Sequence, residues 1–275
     1  MSTEKLRLDE LLVRRGWFAD VAAAGRAIYA GTVSSPQQVN LKPGQLVPAD
    51  LELQRKPEKT YVSRGGEKLA AALATFQLDV RGLNCLDLGA SSGGFTDCLL
   101  QQGAATVTAV DVGYGQFAWR LRSDPRVRLL ERTNFRILQP ADLVVDGPSA
   151  GPLAISAFDL VVADLSFIRT SALLAHIRHF LVPTGQTVIL IKPQFELPVD
   201  LANSPTFLGG VVRDPAWQEL VLTNFLAAAQ AAGFVARGLM ASPLLGPDGN
   251  REFLFWATLR GIPATMDIPS LVGRN

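Results

Sequence analysis

Cysteine and histidine are almost missing from this 275-residue chain, which has two of each. Cys85 and Cys98 are too few for the disulfide framework of a small secreted domain, and they read instead as small core residues of a reducing compartment. Neither histidine stands in a Cys/His cluster, so no zinc site, and no other metal, is expected. Long apolar runs are absent too: none approaches the ~18 residues that span a bilayer. The first ten residues hold five charges in place of the apolar core of a secretory leader, so a cytoplasmic location is expected. A dominant charge sign is also lacking, the net being +1. No internal repeat or coiled-coil heptad is present.

The even balance hides an asymmetry. Residues 1–68 carry a net charge of +3 and the remainder −2, which puts any nucleic-acid footprint preferentially at the N-terminal end. Residues 6–30 read as two short helices, the first with Leu8, Leu11 and Leu12 on one face and Arg7, Arg14 and Arg15 toward solvent. The second is capped by Asp20 and stopped by Gly31. Short strands are expected around Val33, Val39, Leu46 and Leu51–Leu53, between prolines, and Arg55–Lys59 reads as a polar linker.

From Tyr61 onward strands and helices alternate. Strands are expected at Asn84–Leu88, Val107–Val112, Val127–Leu130, Asp159–Ala163, Thr187–Ile191, Phe234–Met240 and Glu252–Thr258. Most are continuous apolar runs, as in a parallel sheet covered on both faces. Asp214, Pro215 and Gly233 mark the start and end of a helix. Residues 139–157, rich in Pro, Gly, Ala and Ser, read as a surface insertion. The expected domains are therefore a small one over 1–54, a linker 55–60, an α/β domain 61–260 and a tail 261–275.

The stretch Asp87-Leu88-Gly89-Ala90-Ser91-Ser92-Gly93-Gly94-Phe95 follows a strand and precedes a helix. A dinucleotide turn has the spacing G-x-G-x-x-G, with room for a pyrophosphate. Here the spacing is D-x-G-x-x-x-G-G-F, led by a carboxylate that repels phosphate but attracts the ammonium of an aminocarboxypropyl tail. The turn therefore fits S-adenosylmethionine better than NAD. Other polar residues fall at successive strand ends. Asp111 is placed for ribose hydroxyls, Asn134 for an adenine edge, and Asp164 and Lys192 for the cleft. Lys192 follows Val188–Ile191, so its stem leaves a buried strand; a lysine merely snorkelling at a sheet end has the same pattern. A lysine serving as a base must lose its proton, which burial and a second cation favour and a carboxylate opposes. Lys68 is the candidate second cation.

Several strings resemble the TlyA (hemolysin-A-like) family of ribosomal RNA methyltransferases and, more distantly, the RrmJ/FtsJ ribose methyltransferases. They are Tyr61-Val62-Ser63-Arg64-Gly65-Gly66 with Lys68, Gly89–Asp97, Ala109–Gly115, Asp164-Leu165-Ser166-Phe167-Ile168, Ile191-Lys192-Pro193-Gln194-Phe195-Glu196 and Gly210–Asp214. The resemblance implies a Rossmann-like class I methyltransferase domain, with a mostly parallel seven-stranded sheet and helices on both faces, preceded by a small α+β S4-type RNA-binding domain. It implies S-adenosylmethionine as cofactor, held by Asp87, Gly89, Ala90, Ser91, Gly93, Gly94, Phe95, Asp111, Asn134 and Asp164. It implies a catalytic set Lys68, Asp164, Lys192 and Glu252 acting on a ribose 2′-hydroxyl, at a cytidine of ribosomal RNA or a ribosomal subunit. No metal is called for, because the sulfonium already carries the activating charge.

For RNA contact the resemblance points to Lys5, Arg7, Arg14, Arg15 and Arg26 in the N-terminal domain, and to Arg64. The family's V-x-V-N-G is replaced here by Val33-Ser34-Ser35-Pro36, and the second helix keeps only Arg26, so a thinner RNA grip is expected. Arg122 and Arg126 belong to a further run of arginines, Arg120 to Arg136, which suits either an added RNA track or a solvated face with local ion pairs. Two other functions are the alternatives. One is a catalytically silent RNA-binding protein, against which the full set Lys68, Asp164, Lys192 and Glu252 argues. The other is the membrane-active hemolysin of the family label, which finds no support in a sequence without a spanning segment or a strong basic amphipathic helix.

Overall fold

The computed structural model describes residues 4–56, 60–143, 157–198 and 210–274. The chain divides into two compact units, Met1–Lys59 and Thr60–Asn275.

In the first unit, β1 (Lys5–Arg7) leads into α1 (Leu8–Arg14), followed by α2 (Val21–Tyr29), β2 (Val33–Ser34), β3 (Leu46–Pro48) and β4 (Gln54–Arg55). Asp20 caps α2 by accepting from the Ala23 amide. Leu8, Leu11, Leu12, Ala24 and Ile28 meet Val33, Val47, Leu51 and Leu53 in one small core. β1 pairs with β3 and β2 with β4, both antiparallel. Three expectations are corrected here. Val39 and Leu51–Leu53 form no strand. The expected linker does not begin at 55, since Arg55 is opposite Val33 and the Lys56 amide donates to the Thr32 carbonyl. Arg7 and Arg15 are not simply solvated: Arg7 pairs with Asp9, and Arg15 donates to the carbonyls of Ala49 and Leu51, which would otherwise go unpaired.

The second unit is built on a seven-stranded sheet. In chain order it contains α3 (Arg64–Thr75), β5 (Asn84–Leu88), α4 (Gly94–Gln101), β6 (Thr106–Val110), α5 (Trp119–Arg122), β7 (Val127–Leu130), β8 (Phe158–Ala163), α6 (Leu174–Arg178), β9 (Leu181–Ile191), α7 (Pro193–Glu196), α8 (Pro215–Ala231), β10 (Val235–Ala241), β11 (Phe253–Thr258) and α9 (Ile268–Val272). Across the sheet the order is β7-β6-β5-β8-β9-β11-β10. β5 to β9 run parallel, and β11 is antiparallel to both its neighbours. Order reverses between β5 and β8, so the switch point, where open α/β sheets bind ligands, lies at the carboxyl ends of those two strands.

Strand alternation splits the core in two. Leu86, Leu88, Val161, Ala163, Ile189 and Ile191 face one side, packed by α6, α8 and α9 through Ile177, Leu222, Phe225, Ile268 and Val272. Cys85, Val107, Ala109, Leu160, Val162, Val188 and Leu190 face the other, packed by α3 and α4 through Leu69, Leu73, Phe95 and Leu99. The expected tail is thus partly core, because α9 supplies two buried side chains. β9 begins six residues earlier than expected. Pro183-Thr184-Gly185 reads as a turn but is its irregular start, where the pairing with β8 shifts between Phe158 and Leu160. β6 stops at Val110, two residues before the expected end; the Asp111 amide still donates to the Leu130 carbonyl of β7, while its carboxylate binds loop amides. Most of the expected 139–157 insertion lies outside the described residues; Pro140–Leu143 is a single 3-10 turn with Leu143 buried.

Candidate active site

The glycine turn sits where the topology requires. At Gly89, just past β5, φ is +80° and an added Cβ would lie 2.7 Å from the Asp164 carbonyl oxygen. A side chain is therefore barred by the exit of the neighbouring strand. At Gly94, the first residue of α4, a Cβ would fall 2.2 Å from Ser63 Oγ and 2.9 Å from the Gly66 amide nitrogen, so α3 and α4 start in contact. Ser91 adopts a left-handed φ of +48°, and its amide donates to Asp111 Oδ2 at 2.7 Å. Asp111 Oδ1 accepts from the Gly113 amide at 2.6 Å, so one carboxylate ties the turn to the end of β6.

Three cavities open along this rim. The largest, about 480 Å³, is lined by Gly89, Ser91, Asp111, Thr133, Asn134 and Asp164 among apolar Val110, Phe135, Leu165, Ile168 and Leu173. A mainly apolar hollow with a few convergent polar groups is the usual form of a small-molecule pocket. Asn134 Oδ1 accepts from the Arg136 amide, which leaves its NH₂ to donate to a ligand. A second cavity of about 230 Å³ is bordered by Arg64, Lys68, Gly89, Ala90, Ser91, Gly94, Phe95, Asp164, Lys192 and Glu252. A third, about 310 Å³, takes in Lys192 and Glu252 again with Ser166, Phe167, Gln194 and Phe195.

The register explains the convergence of the four charged side chains. Phe253 is opposite Ile191, so Glu252 and Lys192 stand beside the same rung at the ends of β11 and β9. Asp164 follows β8, the parallel neighbour of β9. Lys192 Nζ lies 2.6 Å from Asp164 Oδ1 and donates to Ser166 Oγ at 2.8 Å. Lys68, from α3, makes a close pair with Glu252 Oε2, both side chains being buried. The two lysines are thus each held by their own carboxylate, a pairing the sequence did not reveal. Ser166 was also missed as a site residue, although it stands two positions after Asp164.

Two expected cofactor residues lie elsewhere. Asp87 does not close β5 or border any of these cavities. It shares the parity of Cys85, so it points to the face covered by α4, fully buried, where Oδ2 accepts from the Thr96 amide (2.9 Å) and hydroxyl (2.6 Å). Desolvation outweighs those hydrogen bonds and pushes its carboxyl up to about 7. Gly93 caps α4 with a left-handed φ and backs onto Leu121 and Phe117, away from the cavities.

Of the expected RNA-contact residues, Lys5 and Arg26 are exposed and Arg14 pairs with Glu4 at 3.3 Å. Arg122 and Arg126 are held internally, by Glu131 at 2.7 Å and Asp124 at 2.8 Å. That is the local ion-pair alternative for this run. Among the described residues no helix is long and apolar enough to cross a membrane.

A sheet of this order, with a glycine turn at its switch point and a carboxylate at the next strand end, defines an S-adenosylmethionine-dependent methyltransferase. The chain belongs to the FtsJ-like methyltransferase family, whose model matches residues 61–259. It is 43% identical to YqxC of Bacillus subtilis, which carries an rRNA methyltransferase name, over 92% of this chain and 86% of that one. It is 42% identical to the 16S/23S rRNA (cytidine-2′-O)-methyltransferase TlyA of Mycobacterium tuberculosis, over 92% of this chain and 89% of TlyA. The solved structure of a Streptococcus thermophilus protein described as a hemolysin superposes with a TM-score of 0.70 at 38% identity, covering 99% of this chain and 96% of that one.

Proposed function

We propose that this enzyme methylates a ribose 2′-hydroxyl of ribosomal RNA, at a cytidine. The observation that carries the reading is the Lys192–Asp164 pair, 2.6 Å apart. Asp164 borders the largest cavity and Lys192 the third, and the two meet in the second between them. The names of the rRNA-methylating relatives support the same substrate class.

In this reading the largest cavity takes the adenosyl group, with Asp111 on the ribose hydroxyls and the Asn134 amide on the adenine edge. Gly89, Ala90, Ser91, Gly94, Phe95 and Asp164 lie along the path of the aminocarboxypropyl tail toward the second cavity. When bound, the cofactor would supply an electrophilic methyl group on a sulfonium, whose carbon–sulfur bond breaks on transfer to leave the pair on a neutral thioether. Lys192, in its neutral form, accepts the 2′-hydroxyl proton on Nζ as the ribose oxygen bonds to the methyl carbon. Ser166 Oγ and Asp164 orient that nitrogen and stabilise the ammonium formed. Lys68 and Glu252 form a rigid buried wall that positions the ribose. Alignment of the two reactants is the main lever available, worth up to ~7–11 kcal/mol in favourable cases. The first unit serves as an S4-type RNA-docking module, with the exposed Lys5 and Arg26 to approach phosphates, while Arg64 of the second unit stands at the edge of its cavity.

The direct test is labelled methyl transfer to unmodified ribosomal subunits. Wild type is expected to label at least one subunit, and Lys192→Ala and Asp164→Ala are each expected to lose at least ~100-fold in rate, the scale of general-base catalysis. Cofactor binding without transfer to any subunit or free rRNA would instead indicate the catalytically silent RNA-binding protein.

A further inference from the structure

The catalytic unit displays two aromatic side chains in solvent, Tyr114 (65% exposed), two residues beyond Val112 of the largest cavity's lining, and Trp119 (78% exposed). Their carriers are held firmly. The Arg132 amide donates to the Gly113 carbonyl and the Thr133 amide to that of Asp111, closing the Tyr114 loop onto the end of β7. The other three residues of α5 are all anchored: Arg120 to Asp97, Arg122 to Glu131, and Leu121 buried. Only Trp119 is left outward. Glu131 Oε1 accepts from both Arg122 (2.7 Å) and the Gly115 amide (2.8 Å), so one carboxylate fixes α5 and the Tyr114 loop in a single frame. The Arg132 guanidinium lies 4.1 Å from the Tyr114 ring centroid.

A rigid frame that keeps two large aromatic rings wet gains nothing in folding from their exposure. Residues 112–136 carry six arginines against two carboxylates, a net of +4. Asp97, Glu131 and Asp124 take up Arg120, Arg122 and Arg126. The exposed Arg132, over the Tyr114 ring, and Arg136, at the largest cavity, supply the cationic ground. Planar rings on a cationic ground are the recognition chemistry of unpaired nucleic acid: bases stack on aromatic faces and phosphates are drawn by arginine. A protein partner would also use Trp and Tyr, but the charge surplus favours a polyanion.

We propose that Tyr114 and Trp119 form a stacking face for unpaired bases of the substrate RNA outside the reaction pocket. This rests on the RNA-methylating reading above and adds to it a contact that is independent of base pairing.

The test is fluorescence-anisotropy titration of the full chain with a short single-stranded oligouridylate and with an abasic oligomer of equal length and charge. Trp119→Ala should weaken oligouridylate binding about thirtyfold, the middle of the range for one stacked base, with the salt slope unchanged. Binding of the abasic oligomer should not change, and Trp119→Phe should recover most of the loss. Tyr114→Ala should act in the same direction. Equal oligouridylate affinity in wild type and Trp119→Ala, or an equal loss on both oligomers, overturns the stacking face while leaving the methyltransferase reading intact. Failure of the wild type to bind oligouridylate and ribosomal RNA alike overturns both. Unchanged cofactor affinity in each variant verifies the fold.

Discussion

Asp87 shows how one residue can be placed correctly in sequence and still have its role misread. It leads the glycine turn, but strand parity turns it under α4, where burial raises its carboxyl from an ordinary value of 3.8 to about 7. The folded state then holds a proton that the unfolded state has released, so this group's contribution to stability is greatest below about pH 4. It declines through the window up to about 7 and stays low above that. Asp87→Asn keeps an oxygen for Thr96 and removes the titration. Its stability relative to wild type should therefore rise between pH 5 and 8 in urea denaturation, by at most ~3 kcal/mol, and a pH-independent difference would contradict the assignment. The Lys68–Glu252 pair makes a second residue-scale prediction. Breaking a buried pair from one side leaves an uncompensated charge, so Glu252→Gln should cost ~3–5 kcal/mol. Lys68→Met with Glu252→Leu should cost less than that in the same denaturation assay.

At the scale of elements, the close start of α3 and α4 brings Lys68 to the glycine turn, and it depends on the absence of a side chain at Gly94. Gly94→Ala sets a methyl against Ser63 Oγ and the Gly66 backbone. We expect a loss of ~1–3 kcal/mol, together with weaker cofactor binding by calorimetry, because backbone cannot yield as a flexible side chain can. An ordinary helix cap gives the contrasting case. Asp214 accepts from the Ala216 amide at the start of α8, far along the chain from the turn. Asp214→Ala should cost ~1 kcal/mol in stability and leave cofactor affinity unchanged. Elements with a strong local signal were legible: β5 and β7 fall at their expected limits, and α8 starts at its expected cap. β9 was legible only in its apolar half, since Pro183-Thr184-Gly185 carries turn chemistry and falls in the register shift between Leu181 and Gln186, ahead of the regular pairing with β8 and β11.

For the whole molecule, the division at residues 59 and 60 separates two cores, each closed by its own side chains. Residues 60–275 expressed alone should unfold cooperatively and keep cofactor affinity within about twofold, since each cavity lining described above comes from that unit. Affinity for ribosomal RNA should fall, with a shallower dependence on salt, as the phosphate contacts proposed for the first unit are lost. An unchanged salt slope would place the RNA footprint wholly on the catalytic unit.

By itself the sequence determined the class of sheet and the glycine turn, because each is written in local spacing, in apolar runs and turn glycines; the set of four charged residues was implied by the family resemblance of the strings around them. The tertiary structure alone decided which groups meet. Register across β8, β9 and β11 set Asp164, Lys192 and Glu252 side by side, the placement of α3 paired Lys68 with Glu252, parity buried Asp87, and ion pairs took up Arg122 and Arg126. Those outcomes depend on residues up to 184 positions apart, and local pattern carries no record of such distances.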